Sequence, residues 1–420
     1  MPELLLLTNC FPYGAGEDYL EAELPHLAAA FDRVVVVPTM QVRGQPPTRQ
    51  VPEGVVVVPV DLPPGRAGRL MTPLGELRRG AVGWGLPHLP TAPPFAPVPH
   101  AYEAYFEARA QGIARLVTVR LAEAGIAVPE VVYAYWFYVT TRVATLLAVH
   151  RPEGRPVVVA RAHGYDVDVE ASPVGYLPQR GLLLREVDHL FPVSERAAER
   201  LRTGWPEHAD KISVRRLGSV GSSAAPVSRQ HPMHVLTVSS VRRRERLHLV
   251  ADAVGLLQRD GVPVTWTHLG GGTPAAEAAL RRRAARMAPG SVELVGPVPR
   301  AEVLHRLATC RPTVLVNVSM SEGVPMSVME AMAHGVPVLA TDVGAARELL
   351  LDQPALPLLP PDLDTAYLAG ALLGVDVLPP SAYARVCAAN QAAWRAGWDA
   401  GVVLADFASE LASLAGQVRR

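Results

Sequence analysis

Two glutamates in the second half of the chain, Glu322 and Glu330, have the residue type and spacing that best suit chemistry. Their carboxylates can accept hydrogen bonds from sugar hydroxyls. Gly323 lets a ligand approach the backbone closely, and Pro325 suits the first position of a helix. Free amides at a helix start attract phosphate. The stretch from Ser319 to Glu330 therefore predicts a site for a sugar joined to a nucleotide by a diphosphate.

The elements around the two glutamates would put them at one end of a parallel sheet. Thr313–Val318 is an apolar run typical of a buried parallel strand, and Pro337–Ala340 predicts the next strand. The residues between them predict a short helix that stops at Gly335. Ligands of open α/β sheets bind outside the carboxyl ends of the strands. The alternative is an ordinary βαβ corner with two solvated glutamates. The two glutamates alone would favour this alternative, whereas the whole stretch from Ser319 to Glu330 favours a ligand site.

Alternating strands and helices in two blocks predict an α/β fold with two doubly wound domains. The predicted strands are Leu4–Leu7, Val34–Val37, Val55–Val60, Val131–Tyr135, Val157–Ala160, His189–Pro192, Val235–Val238, Val264–Leu269, Val292–Val295 and Thr313–Val318. The predicted helices include Tyr19–Phe31, Tyr102–Ala124 and a final helix from Trp394 to Leu414. We expect an N-terminal domain at 1–222, a linker at 223–232, a C-terminal domain at 233–393 and, at 394–420, a C-terminal helix that crosses back to the N-terminal domain.

Two segments differ in composition from these blocks. Residues 61–100 are rich in proline and glycine, which predicts a functional loop or a mobile segment. Ser222–Ser228 has the composition of a linker.

Composition and charge exclude several classes of protein. Lys+Arg and Asp+Glu both number 40, so no general attraction to nucleic acid is implied. The three cysteines are too few and too scattered for a disulfide or zinc framework, which fits a reducing cytosol. The N-terminus lacks a basic region and predicts a strand instead of a signal peptide. Arg142 and three threonines interrupt the apolar stretch Val131–Val149, so strand followed by helix is favoured over a membrane span.

Five segments, taken in order, resemble the retaining family-four glycosyltransferases (glycosyl transferases group 1), which are enzymes of the GT-B fold. Ser319–Glu330 is similar to the E-x7-E motif of that family. The others are Phe11–Glu17, Arg161–Asp166, Trp266–Gly272 and Ala340–Glu348. The resemblance covers roughly residues 3–40 and 130–415, whereas 45–125 match nothing recognisable. It implies two doubly wound Rossmann-like domains that face each other across a cleft.

The resemblance also implies roles for individual residues. A nucleotide-diphosphate sugar would bind between the domains, mainly on the C-terminal one, with Glu330 on the ribose hydroxyls. Glu322 would hold the sugar and diphosphate together with the backbone of Gly323, Val324, Pro325, Met326 and Ser327. His163 would contact the donor sugar near the reacting carbon, so His163 and Glu322 are the catalytic candidates. Further donor contacts would come from Gly14, Gly16, Arg161 and Gly271.

Structural readings of the same residues remain open. His163 alone could be a satisfied structural histidine, and Arg161 and Asp166 could simply orient their loop. The glycine turn at Gly270–Gly272 could be no more than a turn. Glu17 and Glu21 are expected to be solvated helix residues, and the arginines at 281–283 and 286 to be a solvated helix face.

The chain departs from the family at one important point. Family enzymes carry an arginine after the first strand of the C-terminal domain and a lysine five residues later, and these cations neutralise the diphosphate. Our alignment puts Ser240 and Glu245 at the two positions, and neither can neutralise phosphate. Arginines at 242, 243, 244 and 246 lie close by, and we take Ser240 and Arg244 as the donor-binding candidates of this loop. A loop insertion or a slip of the alignment by one residue would also explain the departure.

The predicted function is a retaining glycosyltransferase that moves a sugar from a nucleotide-diphosphate sugar to a glycan, lipid-linked or small-molecule acceptor. Its setting would be bacterial surface polysaccharide or glycoconjugate synthesis in the cytoplasm. In this family the leaving phosphate is thought to take the acceptor's proton, so no enzyme nucleophile, metal or other cofactor is expected. A peripheral contact of the N-terminal domain with the inner face of the membrane, and the absence of nucleic acid partners, are further expectations.

Two alternatives belong to other functional classes. The first is a catalytically lapsed GT-B subunit that binds a glycan, lipid or partner enzyme, which Ser240 and Glu245 favour. The second is another GT-B chemistry, such as sugar-nucleotide epimerisation, which the segments at Phe11–Glu17 and Arg161–Asp166 oppose. The base and sugar of the donor, the acceptor, the linkage and the oligomeric state do not follow from the sequence.

Overall fold

The apolar runs of the sequence form two separate parallel sheets in the computed structural model, which describes residues 2–14, 16–64, 97–149, 154–172, 174–221 and 231–417. Unit 1 consists of Met1–Leu217 and Val402–Arg420, and unit 2 of Gly218–Gly401. Most of the predicted loop at 61–100 and the whole predicted linker at Ser222–Ser228 lie outside the described residues.

Within the described residues, unit 1 contains a six-stranded parallel sheet in the order β3-β2-β1-β4-β5-β6. Its strands are β1 (Glu3–Thr8), β2 (Arg33–Pro38), β3 (Val55–Val57), β4 (Val131–Ala134), β5 (Val157–Ala162) and β6 (His189–Pro192). Its helices up to Leu217 are α1 (Leu20–Ala30), α2 (Pro97–Glu123), α3 (Val139–Val149), α4 (Arg180–Glu186) and α5 (Glu195–Gly204). Along β1, Leu5 and Leu7 join one hydrophobic cluster while Leu4 and Leu6 join another. Both faces of the sheet are therefore covered, which is why its strands are continuously apolar.

The described part of unit 2 contains a five-stranded parallel sheet in the order β11-β10-β7-β8-β9. Its strands are β7 (Met233–Val238), β8 (Val264–Leu269), β9 (Val292–Gly296), β10 (Val314–Asn317) and β11 (Val338–Ala340). Its helices are α6 (Leu247–Arg259), α7 (Pro274–Met287), α8 (Arg300–Thr309), α9 (Met326–Ala333), α10 (Ala346–Leu350), α11 (Thr365–Asp376) and α12 (Pro380–Gly397), and α13 (Ala400–Leu414) follows. The strand order reverses between β7 and β10, so the loops that follow these two strands lie side by side.

The predicted strands are present, and only their ends differ. The clearest difference is β3, which ends at Val57 instead of Val60. The single final helix predicted from Trp394 to Leu414 is wrong, because the chain forms α12 and α13 with a break between them. At the break, Ser219 accepts a hydrogen bond from Ala400 N (3.1 Å) and donates its own amide to Trp398 O (3.0 Å). These backbone groups are therefore paired with another segment and cannot continue the helix.

The most apolar stretch of the sequence, Val131–Val149, forms β4 and α3, as predicted. Arg142 of α3 is buried, and its guanidinium pairs with Glu107 at 2.9 Å and Glu186 at 2.6 Å. Across the described ranges, no helix has both the length and the apolar character that crossing a membrane requires.

Candidate functional site

Two loops meet where the strand order of the unit 2 sheet reverses. The loop after β7 carries Glu245, and the loop after β10 carries Ser319, whose hydroxyl donates to Glu245 Oε2 at 2.7 Å. The backbone amide of Met320 also donates to Arg244 O at 2.8 Å. The segment that departs from the family pattern therefore contacts the segment that carries the two glutamates.

Glu322 lies half-buried on the loop after β10, and Asn317 Nδ2 donates to its Oε1 at 3.1 Å. Burial raises the pKa of the Glu322 carboxyl, and the nearby charge of Glu245 adds to this shift. Hydrogen bonds from Asn317 and Ser319 act in the opposite direction. The carboxylates of Glu322 and Glu245 lie close together. In the described ranges, no group of three or more His, Cys, Asp or Glu side chains could hold a metal ion.

Glu330 lies on α9 and is only 3% exposed. Its Oε1 accepts a hydrogen bond from Arg300 Nε at 2.8 Å, so this buried carboxylate is paired with a cation. Arg300 is the first residue of α8, thirty positions before Glu330, and sequence reasoning did not find it. The one sequence feature that could have indicated Arg300 is its position shortly after β9, at the edge of the sheet where Glu322 and Glu330 lie.

Helix α9 begins directly beside Glu322. Its first residue is Met326 and Pro325 is the N-cap, so the helix begins one residue later than the sequence predicts. No side chain caps this helix start, so the dipole and amides of its first turn are available to an anion. Val324 and Ser327 are buried, and Gly323 is half-buried. The predicted backbone contacts therefore lie on one short, well-packed segment.

Gly344 fixes the position of this loop from the neighbouring strand. It has φ +57°, and a Cβ atom there would lie 2.3 Å from Glu322 O and 2.6 Å from Gly323 O. Ala345 N donates to Gly323 O at 2.8 Å. The turn after β11 thus needs glycine because its backbone packs directly against the loop that carries Glu322.

The loop after β7 departs from the family pattern, and we call it the departure loop. It brings one arginine towards the glutamates. Glu245 is 5% exposed, and its Oε1 accepts from Arg244 Nε at 2.9 Å. The Ser240 hydroxyl lies 3.4 Å from the same oxygen, at the long end of a hydrogen bond. Arg244 also lowers the pKa of Glu322, although this effect is the smallest of those acting on that carboxyl.

The other three arginines of the loop have different environments. Arg246 has φ +50°, and its guanidinium donates to Val318 O and Pro361 O, both at 2.6 Å. This side chain therefore joins the departure loop to the backbone at Val318 and at Pro361. Arg242 and Arg243 are exposed and line a separate cavity against α7.

The glycine turn after β8 is explained by packing. A Cβ atom at Gly270 would lie 1.8 Å from Ser239 O, and one at Gly271 would lie 2.9 Å from Pro297 Cδ. Gly271 O accepts a hydrogen bond from Val241 N at 2.9 Å. These contacts hold the turn against the loop after β7, and a nucleotide contact at Gly271 stays a prediction.

In unit 1, a buried carboxylate organises the glycine loop after β1. Glu17 accepts hydrogen bonds from the amides of Asn9 (2.7 Å), Cys10 (2.8 Å) and Phe11 (2.7 Å), and from Trp136 Nε1 (2.6 Å). The expectation that Glu17 is a solvated helix residue is therefore wrong. Three amides and an indole N–H satisfy the Glu17 carboxylate. Because the amides lie after β1 and the indole after β4, Glu17 links these two loops where the strand order of the sheet reverses.

The two glycines of this loop that are predicted to contact the donor lie close to Arg49. Its guanidinium donates to Gly14 O at 2.8 Å and to Gly16 O at 2.7 Å. A Cβ atom at Gly14 would lie 2.9 Å from Cys10 Cβ, and Gly16 has φ +88°. Both positions therefore need glycine for conformational reasons.

Arg161 has well-defined structural partners in unit 1, and its predicted donor contact stays a prediction. Its side chain is fully buried, pairs with Glu23 at 2.5 Å and stacks over Phe407, with the guanidinium carbon 4.5 Å from the ring centre. It also donates to the backbone oxygens of Arg215 and Arg216. These contacts explain the position of the buried guanidinium by packing and charge pairing.

His163 differs from Arg161 although the two residues are neighbours in the chain. It is 7% exposed, and neither ring nitrogen has a hydrogen-bond partner in the described part of the chain. Its ring centre lies 4.3 Å from that of Trp136 and 4.6 Å from that of Tyr135. Asp166 Oδ2 lies 3.9 Å from His163 Nδ1, beyond hydrogen-bond distance, and Asp166 Oδ1 accepts from the amides of His163 and Gly164 at 2.8 and 2.9 Å. Asp166 thus orients the loop, while the imidazole is left for another partner.

Comparisons with known proteins agree with this arrangement. Residues 232–375 match the family described as Glycosyl transferases group 1. A protein of Escherichia coli strain K12 provisionally named as the colanic acid biosynthesis glycosyltransferase WcaL is 30% identical over 197 residues, which cover 45% of this chain and 48% of that protein. The amylovoran biosynthesis glycosyltransferase AmsK of Erwinia amylovora is 27% identical over 244 residues, or 54% and 58% of the two chains. The chain thus spans about half the length of the curated relatives it matches.

Solved structures resemble the chain over almost its whole length. Sucrose-phosphate synthase from Thermosynechococcus elongatus matches with a TM-score of 0.73 and 17% identity, over 99% of this chain and 100% of that one. HepE of Anabaena, solved in complex with UDP and glucose, matches with a TM-score of 0.65 and 16% identity, over 99% and 100%. At such identities the likeness shows the fold, and the predicted α/β architecture of two Rossmann-like domains is confirmed. Residues 232–375 of the chain therefore match the family model of glycosyl transferases group 1, and the chain has the GT-B fold.

Proposed function

We propose that the protein is a retaining glycosyltransferase that transfers a sugar from a nucleotide-diphosphate sugar to a glycan, lipid-linked or small-molecule acceptor. One observation carries this proposal. Glu322 and Glu330 flank the uncapped start of α9 at the reversal of the unit 2 sheet, inside the segment that matches the family. A diphosphate flanked by hydroxyl-bearing rings is the ligand whose charge and donors fit an anion-binding helix start between two carboxylates.

Unit 2 would bind the donor. Glu330, held in place by Arg300, would accept hydrogen bonds from the ribose hydroxyls. Glu322 would accept from the transferred sugar, while the backbone from Gly323 to Ser327 would donate to the diphosphate. Arg244 is the cation of the departure loop that lies beside the glutamates, so it would supply the positive charge that Ser240 and Glu245 do not.

In unit 1, His163 would stabilise charge that develops near the anomeric carbon. Its two unpartnered ring nitrogens support this role, because a buried imidazole without partners costs stability unless a ligand uses it. The leaving phosphate would take the acceptor's proton, so the reaction needs no enzyme nucleophile. Electrostatic stabilisation would then come from Arg244 and the amides of α9.

The acceptor side of the proposal rests on the relatives. Both are named for the synthesis of bacterial surface polysaccharides, colanic acid and amylovoran. We therefore propose a role in polysaccharide or glycoconjugate synthesis, with the N-terminal unit meeting the acceptor at the inner face of the membrane.

A second candidate, a catalytically lapsed subunit that binds a glycan, lipid or partner enzyme, is favoured by one observation. Glu245 is a buried carboxylate within the network that carries Glu322, where the family has a lysine. A negative charge there opposes diphosphate binding. One charge-assisted phosphate contact is worth about 1.5–3 kcal/mol, so the loss of two without replacement would reduce donor binding about a thousandfold or more.

Thermal-shift measurements with a panel of nucleoside diphosphates, including UDP and GDP, test the proposal. A nucleotide at about 100 times its Kd stabilises the folded protein by about 2.7 kcal/mol, and the Glu330→Ala variant should lose that shift. Hydrolysis of the matching nucleotide sugar then separates an enzyme from a lapsed subunit. Nucleotide binding without hydrolysis, with activity appearing in the Ser240→Arg, Glu245→Lys double variant, would establish the lapsed subunit. No binding to any nucleotide would contradict the glycosyltransferase proposal and favour the lapsed subunit.

A further inference from the structure

A concave surface of unit 2 lies between the start of α6, the helix α7 and the loop after β7. Its cavity has a volume of about 500 Å³. This volume lies within the range of about 300–1,000 Å³ that is typical of small-molecule sites. None of the residues to which we assign a donor role lines it.

The charge at this cavity is of one sign. Among the residues that the structure describes, no aspartate or glutamate lines the cavity. Five arginines line it: Arg242, Arg243, Arg282, Arg283 and Arg286. Arg283 is neutralised by Asp252, with Arg283 Nε 2.7 Å from Asp252 Oδ1. The other four have no ion pair with any residue that the structure describes.

This concentration of charge is unusual for the chain as a whole, which has 40 basic and 40 acidic residues and no net charge. Four uncompensated guanidinium groups on two elements repel one another, and an anion placed among them would relieve that repulsion. Arginine suits phosphate in particular, because its fork of donors matches the phosphate oxygens. His248 lies at the same cavity, where burial and the charges of Arg283 and Arg246 lower the pKa of its ring against the opposing effect of Asp252.

The floor of the cavity is apolar. It is formed by the aliphatic side chains of Val241, Leu247 and Leu280, with Ala276 and Ala279 beside them. An inorganic ion would leave this floor in contact with water. A ligand that joins an anionic group to an apolar body would cover the floor and meet the arginines together.

We propose that this cavity binds a single molecule of a phosphate ester with an apolar body, its phosphate held by Arg242, Arg243, Arg282 and Arg286 and its apolar part on Val241, Leu247 and Leu280. The site is additional to the donor site, and the proposal does not depend on the glycosyltransferase activity. A flat membrane surface fits less well, because the arginines line a cavity of about 500 Å³.

Octyl phosphate below its micelle concentration is a suitable probe, measured by calorimetry at low salt. We expect it to bind the full-length protein at least tenfold more tightly than inorganic phosphate, and octyl glucoside to bind undetectably. Equal affinity for octyl phosphate and inorganic phosphate would overturn the proposal in favour of simple anion attraction to surface arginines.

Variants on α7 place the binding site. Arg282→Gln with Arg286→Gln should lower the affinity for octyl phosphate at least tenfold, and Ala279→Glu, at an exposed position, should abolish binding. Arg281→Gln is the matched control, since Arg281 is exposed on the same helix but does not line the cavity. If Arg281→Gln reduces the affinity as much as the double variant does, the proposed site is wrong.

Two further measurements separate this site from others. Binding should persist in the Glu330→Ala variant and with excess UDP, and octyl phosphate should raise the pKa of His248 in an NMR titration because it brings negative charge to the ring. Loss of binding in Glu330→Ala would move the ligand to the glutamate site and overturn the proposal. Binding to anionic phosphatidylglycerol vesicles without any binding of monomeric octyl phosphate would also overturn it, in favour of a membrane contact.

Discussion

The Ser319 hydroxyl donates a hydrogen bond to Glu245 Oε2 at 2.7 Å, although the two residues lie 74 positions apart in the chain. This contact joins the segment that departs from the family to the segment that resembles it most. The glutamate that our alignment places at the family's lysine position is therefore part of the network that carries Glu322. Whether the site retains donor affinity depends on which cation offsets this buried carboxylate.

Replacing Glu330 with alanine should weaken nucleotide binding by about 1–3 kcal/mol, because buried ribose hydroxyls lose a charged acceptor. Calorimetry with the nucleotide that the thermal-shift panel identifies measures the loss. Glu302→Ala is the control, since Glu302 lies on α8 and pairs with Arg306 outside this network. Unchanged affinity in a folded Glu330→Ala protein would remove Glu330 from the ribose site.

Replacing His163 with alanine should lower kcat more than donor affinity, since its proposed partner is charge that appears mainly in the transition state. The ring has no hydrogen-bond partner among the described residues, so its removal breaks no internal bond. Steady-state kinetics with a saturating acceptor, together with donor titrations, separate the two effects. Full turnover in the variant would make His163 a structural residue.

Among the four arginines of the departure loop, Arg244→Ala should reduce donor affinity tenfold or more, as expected for the loss of one charge-assisted phosphate contact. Arg242→Ala and Arg243→Ala should leave donor affinity nearly unchanged, because these side chains line the other cavity. Arg246→Ala should instead lower Tm, because its guanidinium holds two backbone oxygens. Donor titrations in which all four variants behave alike would contradict this assignment.

Replacing Gly344 with alanine should destabilise the protein and weaken donor binding. Strain at positive φ costs about 1–3 kcal/mol, and the new Cβ would also clash with Glu322 O. Gly290→Ala is the matched control, because Gly290 has φ +76° but open space around its Cβ position. Unfolding by denaturant should therefore show a larger loss of stability for Gly344→Ala, and only this variant should lose nucleotide affinity. Equal losses in the two variants would show that Gly344 does not constrain the loop.

Local patterns in the sequence determined the strands, the two doubly wound sheets and the place of Glu322 and Glu330. The reason is that buried parallel strands need continuous apolar runs, and helix starts at their ends need glycine and proline. The same reasoning failed for Glu17, which satisfies three backbone amides instead of facing solvent.

Tertiary structure alone decided the partners of the charged groups. Arg161 and His163 are two positions apart in one motif, yet Arg161 is committed to Glu23 while the His163 ring has no hydrogen-bond partner in the described ranges. Arg300 pairs with Glu330 across 30 positions, and Ser319 donates to Glu245 because the strand order brings the loops after β7 and β10 together. A buried charge takes the nearest partner in space, and sequence spacing does not record which segments the fold makes neighbours.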